Sequence, residues 1–442
     1  MGLYLNTSHN NAFVHWFRAS SPYIQAHRNK TFVINFGGEA LQDESFQNLI
    51  HDFALLSSLG IRLVLVHGIR PQIDARLQKL NHPARFHNRL RITDDVALQC
   101  VKEAAGLVRV EIEALLSMGL ANSPMANAEL KVASGNFIVA KPIGVIDGID
   151  YAHTGAVRRI NSDDIHAQLE QNNLVLISPI GYSPSGDVFN LSAEQVATAV
   201  SIALNAEKLI FLTEQSCIDA DGNLIPQLTT EEANALLEQN DTLPEIMRQP
   251  LQAAIQNCNA GIARVHLLNR HRDGALLLEL FTRDGVGTLI SSAPYEICRE
   301  ATLNDIGGIL ELIKPLEQRG ILAKRSREKI EMEIADYVVI ERDGLIIGCT
   351  ALHFISANCA VLACLAVHKD YQGNARGQRL FSTALAQAKQ HGVQTLFVLS
   401  TQTVQWFIER GFSLCEWAKV PDFLKALYNP QRNSKILFKP IE

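Results

Sequence analysis

The chain has 442 residues, which is too long for one hydrophobic core, so we expect at least two domains. Its composition, 47% hydrophobic and 19% charged with a net charge of −6, is typical of a globular cytoplasmic protein and does not favour nucleic-acid binding. No apolar run reaches the roughly 18 residues of a membrane span, and the eight cysteines include no C-x-x-C pair, so we expect no membrane segment, metal site or disulfide framework.

From about residue 30 to 290, short apolar segments alternate with amphipathic segments of helical period. This spacing predicts crossover connections, and therefore an α/β domain with a mainly parallel sheet covered by helices. Ligands of such sheets bind at the carboxyl ends of the strands, where we expect the loops FGGEAL, VHGIRPQI and SPIGYSPSG to converge. The predicted strands are TFVINF, IRLVLVHG, NFIVAKP, NLVLISPIG, KLIFLT and RVHLLN.

The pattern restarts near residues 291–300 and predicts a second, α+β domain. A helix with Thr302 or Asn304 as N-cap comes first, followed by two strands around a turn at residues 342–344. AVLACLAVHKDY predicts a strand buried on both faces. The segment after it predicts an amphipathic helix, and TLFVLS predicts a further strand.

The junction YQGNARGQRL is the clearest chemical signal in the sequence. A buried strand, this loop and a helix together direct main-chain N–H groups and a positive helix end at one point, which favours an anion. Gly373 and Gly377 allow close approach of the main chain, and Arg376 and Arg379 add charge. The alternative is a glycine-containing turn that only leads into a helix.

The order of these elements resembles the GCN5-related acetyltransferase superfamily over residues 296–442. Its motif, Arg/Gln-x-x-Gly-x-Gly/Ala, corresponds to Gln372, Gly373, Asn374, Ala375, Arg376 and Gly377, with Ala375 in place of the first glycine. The resemblance implies that this loop binds the pyrophosphate of acetyl-coenzyme A. It also implies that a main-chain N–H at Cys364 polarises the thioester carbonyl, and that the pantetheine arm binds the main chain of Leu365, Ala366 and Val367.

Residues 28–290 resemble the amino-acid kinase fold, and acetylglutamate kinase in particular, through VINFGGEAL, VLVHGIRPQI and EKLIFLT. The segment LLLELFTRDGVGTLI resembles the arginine-sensitive members. A kinase-like domain followed by an acetyltransferase domain is the arrangement of the bacterial N-acetylglutamate synthases. This resemblance covers nearly the whole chain and implies acetyl transfer to the α-amine of L-glutamate under control by arginine.

The kinase-like region departs from a working kinase where cations are needed. Phosphoryl transfer requires positive charge around the transferred group, yet Asn35 stands where the kinase has lysine. Where the kinase has His-Gly-Gly-Gly, this chain has His67 and Gly68 followed by Ile69 and Arg70. Lys208 remains, but a lone lysine at a strand start is more often structural. We therefore predict that this domain has lost phosphoryl transfer.

Such a domain could still bind an effector. The resemblance implies that Glu279 binds the guanidinium or amino group of arginine, with main chain near Gly285 and Gly287 and with His266 nearby. The alternative is that Glu279 caps a helix and the glycines turn a loop.

Residues 1–27 form an N-terminal arm with Phe13, Trp16 and Phe17. In arginine-sensitive relatives such an arm links subunits into a hexameric ring, so we expect an oligomer contact. Packing of the arm on its own domain is the alternative.

Glutamate carries two carboxylates, so its pocket needs cations that grip planar oxygens, and arginine suits that task. Matched to the family, Arg325 and Arg432 are the expected ligands, with Lys324 and Ser434 beside them. The resemblance also implies that Ser400, at the end of TLFVLS, donates a proton to the leaving thiolate, although a serine at a strand end is usually a cap.

The proton acceptor is not evident from the sequence. Related synthases carry glutamate where this chain has Val361, and valine cannot take a proton. Water or His353 are the remaining options. Phe407 stands where many acetyltransferases have a tyrosine. Two other functions stay open: an acetylglutamate kinase, which Asn35 opposes, and a non-catalytic arginine sensor, which Val361 favours.

Overall fold

The computed structural model describes residues 7–238, 243–294, 296–342, 344–373 and 375–441. The chain divides into two compact units, Met1–Ala293 and Pro294–Glu442. No helix among the described residues is long and apolar enough to cross a membrane.

The first unit contains long helices and short strands in alternation. Its helices are α1 Thr7–His27, α2 Phe46–Ser58, α3 Arg70–Lys79, α4 Asp95–Leu116, α5 Ser162–Glu170, α6 Ala193–Ala203, α7 Thr230–Glu238, α8 Glu245–Asn259 and α9 Ala275–Phe281. Its strands are β1 Thr31–Phe36, β2 Arg62–His67, β3 Phe86–His87, β4 Leu90–Arg91, β5 Val132–Ala133, β6 Ile138–Pro142, β7 Val145–Ile146, β8 Ile149–Asp150, β9 Gly155–Ile160, β10 Leu174–Ile177, β11 Ile180–Tyr182, β12 Val188–Asn190, β13 Lys208–Thr213, β14 Gln227–Thr229, β15 Arg264–Asn269 and β16 Thr288–Ser291.

An eight-stranded sheet in the order β14-β16-β15-β13-β1-β2-β10-β5 forms the centre of this unit. The strands from β15 to β5 are parallel, and β16 runs antiparallel to β15. Alternate side chains of β1 enter two cores: Val33 packs with one, and Phe32 and Ile34 pack with the other. The mainly parallel, helix-covered sheet is therefore confirmed.

One strand was assigned to the wrong sheet. NFIVAKP contains β6, which lies in a separate four-stranded sheet of order β12-β11-β6-β9. Its longest pairing is antiparallel, with β9, and includes a register shift after Val139. A short, mainly apolar segment does not reveal which sheet it joins, because periodicity carries no information about partners.

The second unit has one seven-stranded sheet in the order β17-β18-β19-β20-β21-β23-β22. Only β20 and β21 are parallel neighbours among the described strands. Its strands are β17 Glu296–Glu300, β18 Tyr337–Arg342, β19 Leu345–Ser356, β20 Cys359–Val367, β21 Thr395–Ser400, β22 Ser413–Leu414 and β23 Lys435–Pro440. Its helices are α10 Ile306–Gln318, α11 Arg327–Met332, α12 Arg376–Gln390, α13 Val404–Ile408 and α14 Asp422–Leu427.

Helices cover both faces of this sheet. Apolar residues of α10 pack on one face with Tyr337 and Val339, and α12 packs on the other face through Leu380 and Phe381. Of the two predicted caps, Thr302 is the one used: it forms a capping box with Asp305 in the 3-10 turn before α10.

Candidate active site

The parallel pair β20 and β21 separates in the middle of the sheet. Their register runs from Cys359↔Thr395 to Leu362↔Val398 and stops there, although β20 continues to Val367. The edge of β20 that faces β21 therefore has main-chain groups outside the ladder. Such an edge can accept a ligand that hydrogen-bonds like a peptide strand.

A bulge in β20 marks the point of separation. The pairing with β19 shifts between Cys349 and Ala351, and Cys364 has a φ of 55°. A positive φ in a residue with a side chain costs roughly 1–3 kcal/mol and is found at functional sites. The bulge re-aims the main chain of Cys364, whose N–H was predicted to polarise the thioester.

The loop after β20 leads into α12 in an unusual conformation. Gly373 has a φ of 104° and Ala375, the N-cap of α12, has a φ of 51° with no side-chain cap. The first-turn N–H groups are thus available to an anion. Ala375 adopts the left-handed conformation that the glycine of the motif would take at less cost. Asn374 lies outside the described residues.

The two arginines of this loop share one carboxylate. Arg376 is 8% exposed, its Nε lies 2.9 Å from Glu296 Oε2, and it donates from Nη1 to Tyr371 O at 3.0 Å. Arg379 lies 3.6 Å from the same Glu296 carboxylate. Glu296, on β17, was not recognised from the sequence. It offsets only one of the two guanidinium charges, so a net positive charge remains beside the main-chain N–H groups of the loop.

Two other arginines have unsatisfied donors. Arg325 Nη1 donates to Ala323 O at 3.1 Å, and Arg432 Nη2 donates to Ile321 O at 2.9 Å. The Nε atoms of both are buried and have no hydrogen-bond partner in the described part of the chain. Burial and then the charge of Arg325 lower the pKa of Arg432, which places the two groups near each other. A partly buried pair of like charges whose buried Nε donors are open fits an anionic ligand.

Further unsatisfied polar atoms lie beside Arg325. Burial lowers its pKa, but Cys364, Tyr337, Cys349 and Glu333 outweigh burial and raise it. The Tyr337 hydroxyl and Glu333 Oε2 are also buried without a hydrogen-bond partner among the described residues. The arginine pair therefore lies on the side of the sheet where the bulge at Cys364 is.

Ser400 ends β21 and is 6% exposed. Its Oγ accepts the Thr403 N–H at 3.0 Å and lies 2.9 Å from Thr403 Oγ1. The serine thus caps the turn and keeps a hydroxyl hydrogen to donate. Ser434 is buried, and Lys324 is exposed. Phe407 packs in the apolar core.

In the first unit, the structure brings all four expected effector residues together. Glu279 Oε1 lies 2.6 Å from His266 Nδ1, and Oε2 accepts the N–H groups of Val286 and Gly287 at 2.7 and 2.9 Å. Burial raises the pKa of Glu279, but these partners lower it to about 2. Gly285 has a φ of 62°, and a Cβ there would lie 2.3 Å from Glu279 Oε2. Glu279 therefore fixes the loop rather than capping a helix.

Further polar residues lie near His266 besides the four that the sequence indicated. His266 Nε2 is buried with no hydrogen-bond partner in the described chain, and the charge of Lys208 reaches both His266 and His27. Burial and then Lys208 lower the pKa of His27 to about 4. Ser20 donates to Phe281 O at 3.2 Å. From sequence Lys208 was interpreted as structural, and nothing in the local sequence of His27 or Ser20 indicates their contacts with Leu280 and Phe281.

The two parts of the arm differ in their contacts with the domain. The end of α1 packs on its own domain through Ser20 and His27, which contacts Leu280 O at 2.9 Å. Phe13, Trp16 and Phe17 remain 62%, 40% and 54% exposed. Part of the alternative arrangement is thus present, and an apolar surface remains.

The carboxyl ends of β1 and β2 border a cavity of about 720 Å³, where the predicted loops converge. Asn35 donates its amide to Val66 O at 3.1 Å and so links two strands. Burial lowers the pKa of His67 to about 4, which keeps it neutral. Ile69 is buried at the cavity wall. Asn35, which stands where the kinase has lysine, is therefore uncharged, whereas Arg70, Arg89 and Arg91 line the cavity.

Comparisons with known proteins agree with this geometry. The amino acid kinase family matches residues 30–269 and the acetyltransferase (GNAT) family matches residues 308–412. The amino-acid acetyltransferase of Azotobacter vinelandii is 50% identical over 97% of this chain and 99% of its own length. That of Escherichia coli is 48% identical over 96% of this chain and 97% of its own length.

The chain belongs to the amino-acid acetyltransferase family.

A solved structure resembles this member of the family over almost its whole length. N-acetylglutamate synthase from Neisseria gonorrhoeae, complexed with coenzyme A and L-arginine, aligns with a TM-score of 0.88 at 38% identity, over 97% of this chain and 99% of that one. A second structure of that synthase, with coenzyme A and N-acetyl-glutamate, aligns with a TM-score of 0.62. The resemblance to an acetyltransferase fused to a kinase-like domain is thereby confirmed, and the chain is an acyltransferase that uses acetyl-coenzyme A.

Within the described residues of this acetyltransferase, no group of three or more His, Cys, Asp or Glu side chains is placed to hold a metal ion.

Proposed function

We propose that this enzyme transfers the acetyl group of acetyl-coenzyme A to the α-amine of L-glutamate by direct attack in a ternary complex. The observation that carries the proposal is the pair of buried, unpartnered Nε atoms of Arg325 and Arg432 on the side of the sheet that bears the bulge at Cys364. Two guanidinium groups match two carboxylates. The Neisseria synthase, solved with coenzyme A and N-acetyl-glutamate, supports this choice of acceptor.

The coenzyme lies, in this proposal, along the open edge of β20. Main-chain groups of Leu365, Ala366 and Val367 bind the pantetheine arm, and the loop of Gln372, Gly373, Asn374, Ala375, Arg376 and Gly377 holds the pyrophosphate through N–H groups at the start of α12. Because the guanidinium of Arg376 is engaged by Glu296, its contribution is its main-chain N–H.

Transfer then depends on fixed donors around the thioester. The N–H of Cys364 stabilises negative charge on the carbonyl oxygen, where a preorganised donor is most effective. Arg325 and Arg432 bind the carboxylates of glutamate, with Lys324 and Ser434 beside them. Ser400 passes a proton to the leaving thiolate.

The kinase-like domain serves, in the same proposal, as the site of feedback control by L-arginine. His266, Glu279, Gly285 and Gly287 form the effector site, and Lys208 adds a cation beside them that suits the effector's carboxylate. The exposed aromatic residues of the arm join subunits into a hexamer. The enzyme acts in the cytoplasm.

The test is release of coenzyme A thiol from acetyl-coenzyme A with and without L-glutamate, followed by addition of L-arginine. We expect glutamate-dependent release and a change in rate with arginine. Release no faster than background hydrolysis would leave the sensor hypothesis instead. Phosphorylation of N-acetylglutamate by ATP would support the kinase, which the uncharged Asn35 and His67 oppose.

A further inference from the structure

A polar cluster surrounds His353 on β19 and includes residues of the segment after α11. His353 Nδ1 lies 2.7 Å from Asp336 Oδ2, and His353 Nε2 lies 3.9 Å from Glu333 Oε2. Glu333 Oε2 is buried and has no hydrogen-bond partner among the residues that the structure describes. A buried carboxylate oxygen without a donor is costly, so it points to a missing ligand.

Asp336 determines which nitrogen of His353 carries the proton. The carboxylate accepts from Nδ1–H, so Nε2 of the neutral ring holds the lone pair. Nε2 and Glu333 Oε2 are then two acceptors 3.9 Å apart, and neither can donate to the other. An ammonium group fits between them because it can donate one N–H to each.

The strand register places this pair of acceptors next to the acceptor site. His353 lies opposite Val361 on β20, just before the bulge at Cys364. Glu333 is one of the groups that act on the charge of Arg325. Val361 has no proton acceptor, and it is 5% exposed. The imidazole opposite it is therefore the nearest base in the register of the two strands.

We propose that Glu333 and His353 bind the α-ammonium group of the acceptor, and that His353 Nε2, oriented by Asp336, removes its proton. This rests on the proposed acetyl transfer. One N–H bond breaks and its proton passes through Nε2 to solvent. The nitrogen lone pair attacks the thioester carbon, a C–N bond forms, and the C–S bond breaks. The nitrogen loses a second proton as the amide forms, and the leaving thiolate takes up one proton.

Charged and titratable side chains of the described residues lie around His353. Asp336 and Glu333 supply negative charge, Lys329 lies 3.8 Å from Glu333, and the Tyr337 ring packs edge-on against the imidazole. Glu333 stabilises the imidazolium that forms, which is the role of a carboxylate beside a basic histidine.

The experiment compares His353→Gln with wild type and with His391→Gln. His391 is an exposed histidine of the same domain whose Nδ1 lies 2.9 Å from Gln387 O of its own helix and whose ring packs on Phe354 of β19. We expect His353→Gln to lower kcat by about 10²- to 10³-fold, with coenzyme A affinity by calorimetry within twofold of wild type. The kcat of His353→Gln should keep rising with pH over the range in which the wild-type kcat reaches a plateau. His391→Gln should match wild type.

Failure of this proposal differs from failure of the proposed function. A wild-type protein without glutamate-dependent thiol release overturns the function. An active wild type with a His353→Gln variant within threefold in kcat and with an unchanged pH profile overturns only the base. If His353→Gln loses coenzyme A binding, Asp336→Asn decides: a kcat within threefold of wild type overturns the proposal, and a loss of tenfold or more supports it.

Discussion

Replacing Arg432 by methionine tests whether this side chain serves a ligand or the fold. Its Nε is buried without a partner in the described chain, and burial together with Arg325 lowers its pKa. The charged group is therefore held at a cost in the ligand-free protein. We expect Arg432→Met to leave the stability of the ligand-free protein unchanged or to raise it, and at the same time to impair glutamate use.

The two effects can be estimated from the contacts. An unpartnered buried donor costs about 1–3 kcal/mol, and the hydrogen bond to Ile321 O contributes about 1 kcal/mol, so methionine gains about 0–2 kcal/mol in the free energy of unfolding. Hydrogen bonds from a charged group to a substrate carboxylate contribute about 1.5–3 kcal/mol, which corresponds to a roughly 10- to 150-fold fall in kcat/KM for glutamate.

The assays are thermal unfolding without ligands and thiol release at varied glutamate. Arg410→Met is the matched control, because Arg410 has its partners: Gln378 Oε1 at 2.6 Å, Trp406 O at 2.8 Å and the Trp406 ring at 3.6 Å. That variant should unfold at a lower temperature with an unchanged KM for glutamate. An Arg432→Met protein that loses as much stability and keeps its KM would refute the reasoning.

Three further outcomes are expected. Glu279→Gln should lower the stability of the N-terminal domain by about 1–3 kcal/mol at pH 7, because Glu279 accepts three hydrogen bonds as a carboxylate. Its lowered pKa stabilises the fold above pH 4.5, and that contribution is lost as pH falls toward 2, so urea unfolding should show a smaller difference at pH 3 than at pH 7. Arg376→Gln should lower thermal stability through loss of the Glu296 contact, while the salt dependence of coenzyme A binding stays as in wild type. Ser400→Ala should lower kcat about tenfold or more with an unchanged KM for glutamate, and an unchanged kcat would leave Ser400 as a cap only.

The fold and the family followed from sequence because both depend on patterns along the chain. Strand and helix periods gave the parallel sheet, and YQGNARGQRL gave the loop before α12. The contacts of Arg376 and Glu279 did not follow, since each is made with a partner distant in sequence: Glu296 for the first and His266 for the second. Sequence spacing indicates that a charge is present, but not whether another residue of the protein already neutralises it.

The strained main-chain conformation of Cys364 could not be predicted from the sequence either. A cysteine inside an apolar run predicts a buried strand, which is what forms, and nothing in that run indicates a φ of 55°. The bulge results from the way β19 and β20 pair, and β21 ceases to pair with β20 close by. Glu333 and Asp336 were missed for a similar reason, because the turn after α11 brings them to His353.

Two glycine-containing loops of the kinase-like domain, one at Gly37 and Gly38 and the other at Gly68, contact each other closely. This contact affects how the same glycines are interpreted in other chains of this type. Gly68 donates its N–H to Phe36 O at 2.7 Å, and a Cβ on Gly68 would lie 2.8 Å from the main-chain nitrogen of Gly38. These glycines are thus required by the meeting of two backbones, whether or not a nucleotide is handled there. A chain that keeps the glycines and has lost the neighbouring lysine has kept the shape of the cleft, so the glycines alone are no evidence of kinase activity.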